Sequence, residues 1–256
     1  MSPRRRCVIS VAVLNDIHAN LPALEAVLDE IRALPIERIV VGGDVLPGPM
    51  PRETIARLLD LDLPVQFIHG NGDRVVRAQM AGVEPTEVPE PFRDIIRWNA
   101  AQLGRDEEQL LASWPPTLSV DIQGLGDVLF CHATPRNDTE IFTRLTAEER
   151  LLKVFDGITS PVVVCGHTHM QFDRVVGGIR VVNAGSVGMP FQDPGAYWLL
   201  LGPDIHLRKT RYDLEKAAAR IRQTEYPRAE EFAARNVLQP PTEAATLAAF
   251  GPAELK

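Results

Sequence analysis

The sequence predicts an α/β protein with more than one β-sheet, and three observations carry that prediction. Short apolar runs alternate with amphipathic helical stretches through the first half of the chain. The second half holds paired apolar runs separated by glycine turns, which read as hairpins. Polar blocks rich in Asp, Asn and His follow directly on the apolar runs, where open α/β sheets collect ligands at their carboxyl ends.

Taken in order, Val8–Leu14 is the first expected strand, behind the basic residues Arg4, Arg5 and Arg6. It ends in Asn15-Asp16 without a small-residue cleavage site, so it reads as a strand and not as a leader. Asn20 is the expected N-cap of a helix whose apolar stripe is Leu21, Leu24, Val27, Leu28 and Ile31. Ile36–Val41 is the second strand, Arg52–Leu61 a helix and Val65–His69 the third strand. A proline-rich stretch then opens an insertion over residues 83–116, with helices expected at Arg93–Leu103 and Glu107–Trp114. Trp98 and Trp114 are read there as anchors onto the core, with substrate contacts at the mouth of a site as the alternative. Hairpins are expected from Leu118–Ile122 with Asp127–Phe130, Phe172–Val176 with Ile179–Val182, and Tyr197–Leu201 with Ile205–Lys209. Helices are expected at Asp213–Arg222, Arg228–Asn236 and Glu243–Phe250, in an Ala- and Glu-rich region without a chemical motif.

At 256 residues and 45% hydrophobic content the chain supports a large core. The polar blocks run from Asp16 to His169, so a boundary inside that span would split the site. One catalytic domain over residues 1–212 with a helical appendage over 213–256 is therefore expected. The net charge of −7 and the lack of a Lys or Arg block long enough to form a patch argue against a nucleic-acid surface. No apolar run approaches a membrane span. Three cysteines are too few and too unevenly paired for a disulfide scaffold, which points to the cytoplasm. Cys131 and Cys165 are read as buried strand residues. A homo-oligomer is left open.

The chemistry lies in five blocks: Asp16-Ile17-His18, Gly43-Asp44, Gly70-Asn71-Gly72-Asp73, Cys131-His132 and Gly166-His167-Thr168-His169. Each is common alone. Of their residues, Asp16, His18, Asp44, Asn71, His132, His167 and His169 are the candidate ligands, two carboxylates, one amide oxygen and four imidazoles. Seven ligands exceed one tetrahedral site and suit two ions sharing a carboxylate. Mixed nitrogen and oxygen ligation without thiolate points to manganese, iron, zinc or nickel and away from calcium.

This ordered series resembles the calcineurin-like metallophosphoesterases, and among them the small bacterial and archaeal (YfcE-like) phosphodiesterase branch. Asn183-Ala184-Gly185-Ser186-Val187-Gly188 is similar to that branch's Asn-x-Gly-Ser turn. The resemblance covers about the first two hundred residues. It implies a four-layer αββα sandwich, two mixed sheets flanked by helices, with two divalent ions, manganese first, at the strand ends. By position, Asp16, His18, Asp44 and His169 would hold one ion, and Asp44, Asn71, His132 and His167 the other. The implied activity is hydrolysis of a small-molecule phosphate ester through a metal-bridging hydroxide. A phosphomonoesterase or Ser/Thr phosphoprotein phosphatase is the rival within the family. A non-catalytic protein-binding module is the rival outside it, disfavoured because every ligand position is filled.

One position departs from the pattern. Many relatives carry a His after the Asn of the third block, thought to assist the leaving oxygen, and here that residue is Gly72. A missing acid favours good leaving groups, hence activated phosphodiesters over alkyl monoesters. His placed at position 72 is accordingly expected to raise monoesterase activity. His69 is a candidate substitute donor, placed on the same side as Asn71 if the strand continues. Asp73 is a candidate catalytic residue acting on a ligand, or a helix cap. Asn20, Arg74, Arg136 and Asn137 are candidate phosphate contacts, with ordinary capping or surface roles as the alternative.

Overall fold

The computed structural model describes residues 10–255, so the Arg4–Arg6 cluster and the start of the expected strand Val8–Leu14 lie outside the described residues. In chain order the strands are β1 (Ser10–Leu14), β2 (Ile36–Gly42), β3 (Val65–Ile68), β4 (Thr117–Ile122), β5 (Gly126–Cys131), β6 (Val162–Cys165), β7 (Phe172–Val176), β8 (Ile179–Asn183), β9 (Ala196–Leu201) and β10 (Ile205–Thr210). The α-helices are α1 (Leu21–Ile31), α2 (Pro51–Leu59), α3 (Asn71–Met80), α4 (Arg93–Gln102), α5 (Arg105–Ser113), α6 (Glu148–Leu152), α7 (Leu214–Arg222), α8 (Ala229–Phe232) and α9 (Glu243–Phe250).

The strands form two five-stranded sheets, ordered β10-β9-β1-β2-β3 and β4-β5-β6-β8-β7. Both are mixed. β1, β2 and β3 run parallel in the first, and β5, β6 and β8 in the second, with antiparallel strands at the flanks. Side chains alternate across each strand with period two, and this splits the apolar residues into layers. Val11 and Val13 of β1 meet Phe130, Val162 and Val164 of the second sheet in the core between the sheets. Ala12 and Leu14 face the other way, into a cluster with Leu24, Leu28 and Ile31 of α1. Cys131, Val163 and Cys165 pack outward beneath Leu151 of α6. The result is the four-layer arrangement expected above.

The parallel strands explain where the site must be. Their carboxyl ends all open on one edge of the sandwich, and β1, β2, β3, β5 and β6 each deliver one polar block there. The Gly177-Gly178 turn holds φ of +55° and +89°, the conformation that joins β7 to β8 tightly and that only glycine adopts without strain.

Four elements differ from expectation, the first being the short helix α6, where none was expected. β3 ends at Ile68, one residue early, and a helix the sequence did not advertise, α3, begins at Asn71. Its N-cap is Gly70, and the block reads locally as a turn because its apolar face is short, chiefly Val75 and Val76. The helix expected over Arg228–Asn236 is α8 continuing into a π-helical turn, Ala233–Leu238. Ala217, Ala218 and Ile221 of α7, together with Phe232, Ala233 and Val237, share one core with α1 and the first sheet. Among the described residues no helix is long and apolar enough to cross a membrane.

Candidate metal centre

The seven expected ligands converge. Asp16, His18 and His169 place ligand atoms within 4.8 Å of one another, and so do Asp16, Asp44 and His132. Asp16 Oδ1 lies 3.2 Å from His169 Nε2 and 3.9 Å from His132 Nε2. Asp44 Oδ2 stands 3.7 Å from His18 Nε2 and 3.5 Å from His132 Nε2, between an imidazole of each group. Asn71 turns one end of its amide to His132 Nε2 at 3.2 Å and His167 Nδ1 at 3.0 Å.

Sharp local geometry brings them together. Asp16, His18, Asp44, His167 and His169 all take positive φ, between 47° and 65°. Such backbone costs about 1–3 kcal/mol per residue outside glycine, and it persists only where surrounding bonds over-determine it. Here those bonds are visible. Asp16 N–H donates to Gly43 O, and His18 N–H to Asp44 O, each at 3.0 Å. His167 N–H donates to Asp16 Oδ2 at 3.0 Å. The turn after β8 closes the ring. Ser186 Oγ and Gly188 N–H both donate to Asp16 O, while Asn183 Nδ2 donates to Gly166 O. Gly70 has no alternative, since a Cβ there would sit 2.2 Å from Asp44 Oδ1.

The donor set fits divalent cations. In each of four histidines one ring nitrogen meets a backbone carbonyl and the other faces the centre. His18 Nδ1 pairs with Pro47 O (3.2 Å), His132 Nδ1 with Gly42 O (3.0 Å), His169 Nδ1 with Met189 O (2.7 Å) and His167 Nε2 with Thr139 O (3.2 Å). Metal-bound histidines are oriented in this way. If each carbonyl takes the ring N–H, the inward nitrogens present lone pairs. His18 Nε2 and His169 Nε2 then face one another at 3.2 Å, a contact that needs a cation or proton between them. Asp16 is fully buried and its Oδ1 makes no hydrogen bond. Without an ion Asn71 would turn its amide nitrogen to His132 and His167. With one, its oxygen belongs there.

The electrostatics follow from burial and crowding. Burial raises Asp16 and Asp44, but the imidazoles outweigh it, His169 for Asp16 and His132 for Asp44, and both are held below the usual carboxylate range. Burial would lower His132, yet Asp44 and Asp16 overcome it and push it up to about 10. His167, desolvated beside His132, falls to about 4, and His18 is lowered by burial and by His169.

A family model described as the calcineurin-like phosphoesterase superfamily domain matches residues 9–202. The chain belongs to that superfamily. An uncharacterized protein of Methanocaldococcus jannaschii is 28% identical over 238 residues, 85% of this chain and 93% of that one. The crystal structure of a metallophosphoesterase from Sphaerobacter thermophilus superposes with a TM-score of 0.68 at 25% identity, covering 93% and 99% of the two chains. A hypothetical protein from Pyrococcus horikoshii has the same fold, with a TM-score of 0.77 at 22% identity over 91% and 100%. Membership in this phosphoesterase superfamily, with its Asp and His clusters able to hold metal, replaces the resemblance argued above.

Several other expected site residues are placed differently. Asp73 does not reach the ligands. Its carboxylate accepts from Leu46 N–H (2.9 Å) and Gly70 N–H (3.0 Å), so it caps α3 and ties two ligand loops together. Burial and the nearby Asp44 charge push it up to about 8. Because β3 stops at Ile68, His69 leaves the alternation and lines a separate small cavity with Arg77 and Leu111, away from the centre. Asn20 is fully buried. Its oxygen caps α1 through Ala23 N–H and its nitrogen donates to Gly188 O, and it does not line the cavity at the centre. Arg136 pairs with Glu140, and Asn137 Oδ1 accepts from Thr139 and Glu140 N–H in a local turn. Neither lines the cavity at the centre. Arg74 does, fixed by Asp138 and Glu87 at 2.7 Å each.

Gly72 also lines that cavity, and a Cβ there would meet Leu46 O at 2.3 Å and Asp44 Oδ1 at 2.9 Å. The expectation that His at position 72 restores an acid therefore fails on space. The tryptophans act as anchors: Trp114 stacks on Phe67 at 4.8 Å, and Trp98 meets Tyr226 edge-on at 5.4 Å. Although one expectation places the insertion at the mouth of a site, the cavity's outer wall carries no motif in the sequence. It has 570 Å³ and draws on the insertion, on Met189 and Phe191, and on the C-terminal segment from Tyr226 to Asn236.

Proposed function

We propose that this chain is a dinuclear metal-dependent phosphoesterase that favours phosphodiesters over monoesters. Asp16, His18, Asp44 and His169 hold one ion, and Asp44, Asn71, His132 and His167 the other, with Asp44 shared. The observation that carries the reading is the common orientation of four histidines, each tied outward to a backbone carbonyl with its second nitrogen turned inward. Bound there, two cations supply Lewis acidity, lowering the pKa of water and neutralising phosphate charge; manganese is the first choice for this donor set, with iron, zinc and nickel after it.

The chain's own residues set the rest. Gly72 N–H donates to Asp44 Oδ1 at 2.7 Å and leaves Oδ2 for the centre. Asp73 fixes the Asp44–Leu46 loop to the head of α3. Arg74, held by two carboxylates, brings a positive charge to the cavity wall. No histidine beyond the ligand His18 lines this cavity to protonate a leaving oxygen. Substrates whose leaving group departs as a stable anion suit such a site. Two buried free cysteines, Cys131 and Cys165, fit a cytoplasmic setting.

The test is turnover of bis(p-nitrophenyl) phosphate and p-nitrophenyl phosphate by manganese-loaded protein. The diester is expected to react faster. Equal or faster hydrolysis of the monoester overturns the preference, and no hydrolysis of either overturns the activity.

A further inference from the structure

We infer that the cavity beside the metal centre is a binding chamber for the organic part of the substrate, a bulky ring-containing group that carries an anionic substituent. This rests on the phosphoesterase reading above and adds the substrate class to it.

Three separate stretches of chain build the chamber. Val88, Phe92 and Ile96 come from the insertion, Phe191 from the loop after β8, and Tyr226 and Phe232 from the C-terminal segment. Its volume of 570 Å³ is that of a site for a sizeable organic molecule, well beyond a bare phosphate. It opens directly on the centre. His18, Asp44 and Asn71 are among its lining residues, and Phe191 stacks on the His169 ring at 4.5 Å.

The walls are tied together, so the chamber is a built feature and not a gap between loose loops. Arg228 lies over the Phe92 ring at 4.8 Å, donates to Pro91 O and pairs with Glu231 at 3.2 Å. One side chain thus joins the insertion to the C-terminal helices. Trp98 against Tyr226 makes a second link.

The arginines on the walls fall into two sets. Arg74 and Arg228 are consumed by carboxylates. Arg235 lines the chamber and enters no ion pair among the described residues. It stands on the π-helical turn Ala233–Leu238, beside Asn236, which also lines the chamber. Such turns recur at functional sites because the extra residue re-aims side chains. An apolar chamber that opens on the candidate metal centre and has an unpaired guanidinium on its wall matches a molecule with a phosphate, a ring system and a second negative group. A nucleoside and a simple aryl group both supply the ring, and the test separates them.

Calorimetry on full-length, manganese-loaded protein with phosphonates, which are not hydrolysed, reads the chamber without turnover. Methylphosphonate probes the centre alone, phenylphosphonate adds the ring, and 4-carboxyphenylphosphonate adds the charge. Phenylphosphonate is expected to bind about 10- to 100-fold more tightly than methylphosphonate, the usual gain from burying a ring. The carboxylate is expected to add about fivefold, lost in Arg235→Ala. Thymidine 5′-phosphonate binding tighter than phenylphosphonate assigns the ring to a nucleoside, and the reverse assigns it to an aryl group. Phe92→Ala, at an exposed position, is expected to narrow the phenyl-to-methyl ratio. If methylphosphonate binds and phenylphosphonate binds no better, the chamber is wrong and the phosphoesterase reading stands. If no phosphonate binds, both fall.

Discussion

Replacing Gly72 is the sharpest test of how the ligand loops are held. Its φ is not in the left-handed region, so conformation alone would permit alanine, which gains up to about 1 kcal/mol over glycine in a helix. Space forbids it. A Cβ would stand 2.3 Å from the Leu46 carbonyl oxygen and 2.9 Å from both Asp44 Oδ1 and Pro47 Cδ. The first of these is backbone, which cannot swing aside as a side chain can. Overpacking of this kind costs about 1–3 kcal/mol, so a net loss of about 1–2 kcal/mol is expected for Gly72→Ala. In a chain of this length that is a fall in Tm of about 2–8 °C, read by thermal denaturation of metal-free protein. The same residue donates to Asp44 Oδ1, so displacement carries to the carboxylate proposed as the bridge. A shift of about 1 Å there costs about 10²-fold in turnover. Gly72→His should be worse on both counts and should gain no monoesterase activity. A stable Gly72→His protein that hydrolyses p-nitrophenyl phosphate faster than the parent would refute the steric argument.

Other substitutions probe the centre itself. Asp44→Asn keeps the Gly72 hydrogen bond but removes the shared charge, so turnover should fall by about 10²–10³-fold and manganese should bind more weakly; a near-normal rate would remove Asp44 from the bridge. His167 sits at φ +65°, so His167→Gly should be about 1 kcal/mol more stable than His167→Ala although both lose metal, and equal melting temperatures would deny the strain. In metal-free protein His132 is raised to about 10 from an unfolded value of 6.5. Its contribution to stability is therefore complete below pH 6.5 and lost as pH climbs through 10, so Tm should decline across that window. Manganese must displace the His132 proton, so affinity should rise over the same range, while a flat affinity from pH 6.5 to 9 would mean His132 is no ligand.

The convergence of Asp16, His18, Asp44, Asn71, His132, His167 and His169 was legible because each follows an apolar run, and strand ends in an α/β sheet point to a common edge. Residues whose role depends on what packs beside them were not. His69 was assigned by strand alternation, and the argument failed when β3 ended one residue early. Asp73, Asn20 and Asn137 are polar residues in turns, and backbone N–H groups claimed their oxygens, as the short polar side chains of turns allow. The sandwich was inferred from alternating elements and hairpin glycines, but α3 was hidden by a block that also encodes a tight turn. The C-terminal part of the cavity wall was hidden for a different reason. Tyr226, Phe232 and Arg235 carry no motif, and they reach the centre only because α7 and its successors pack on α1.

Anomalous diffraction from crystals grown with manganese tests the central claim most directly. Two peaks about 3.5–4 Å apart, one on each side of the Asp44 carboxylate, are expected, with Asp16, His18 and His169 around one and Asn71, His132 and His167 around the other. A single peak, or none, would contradict the dinuclear site and the chemistry drawn from it.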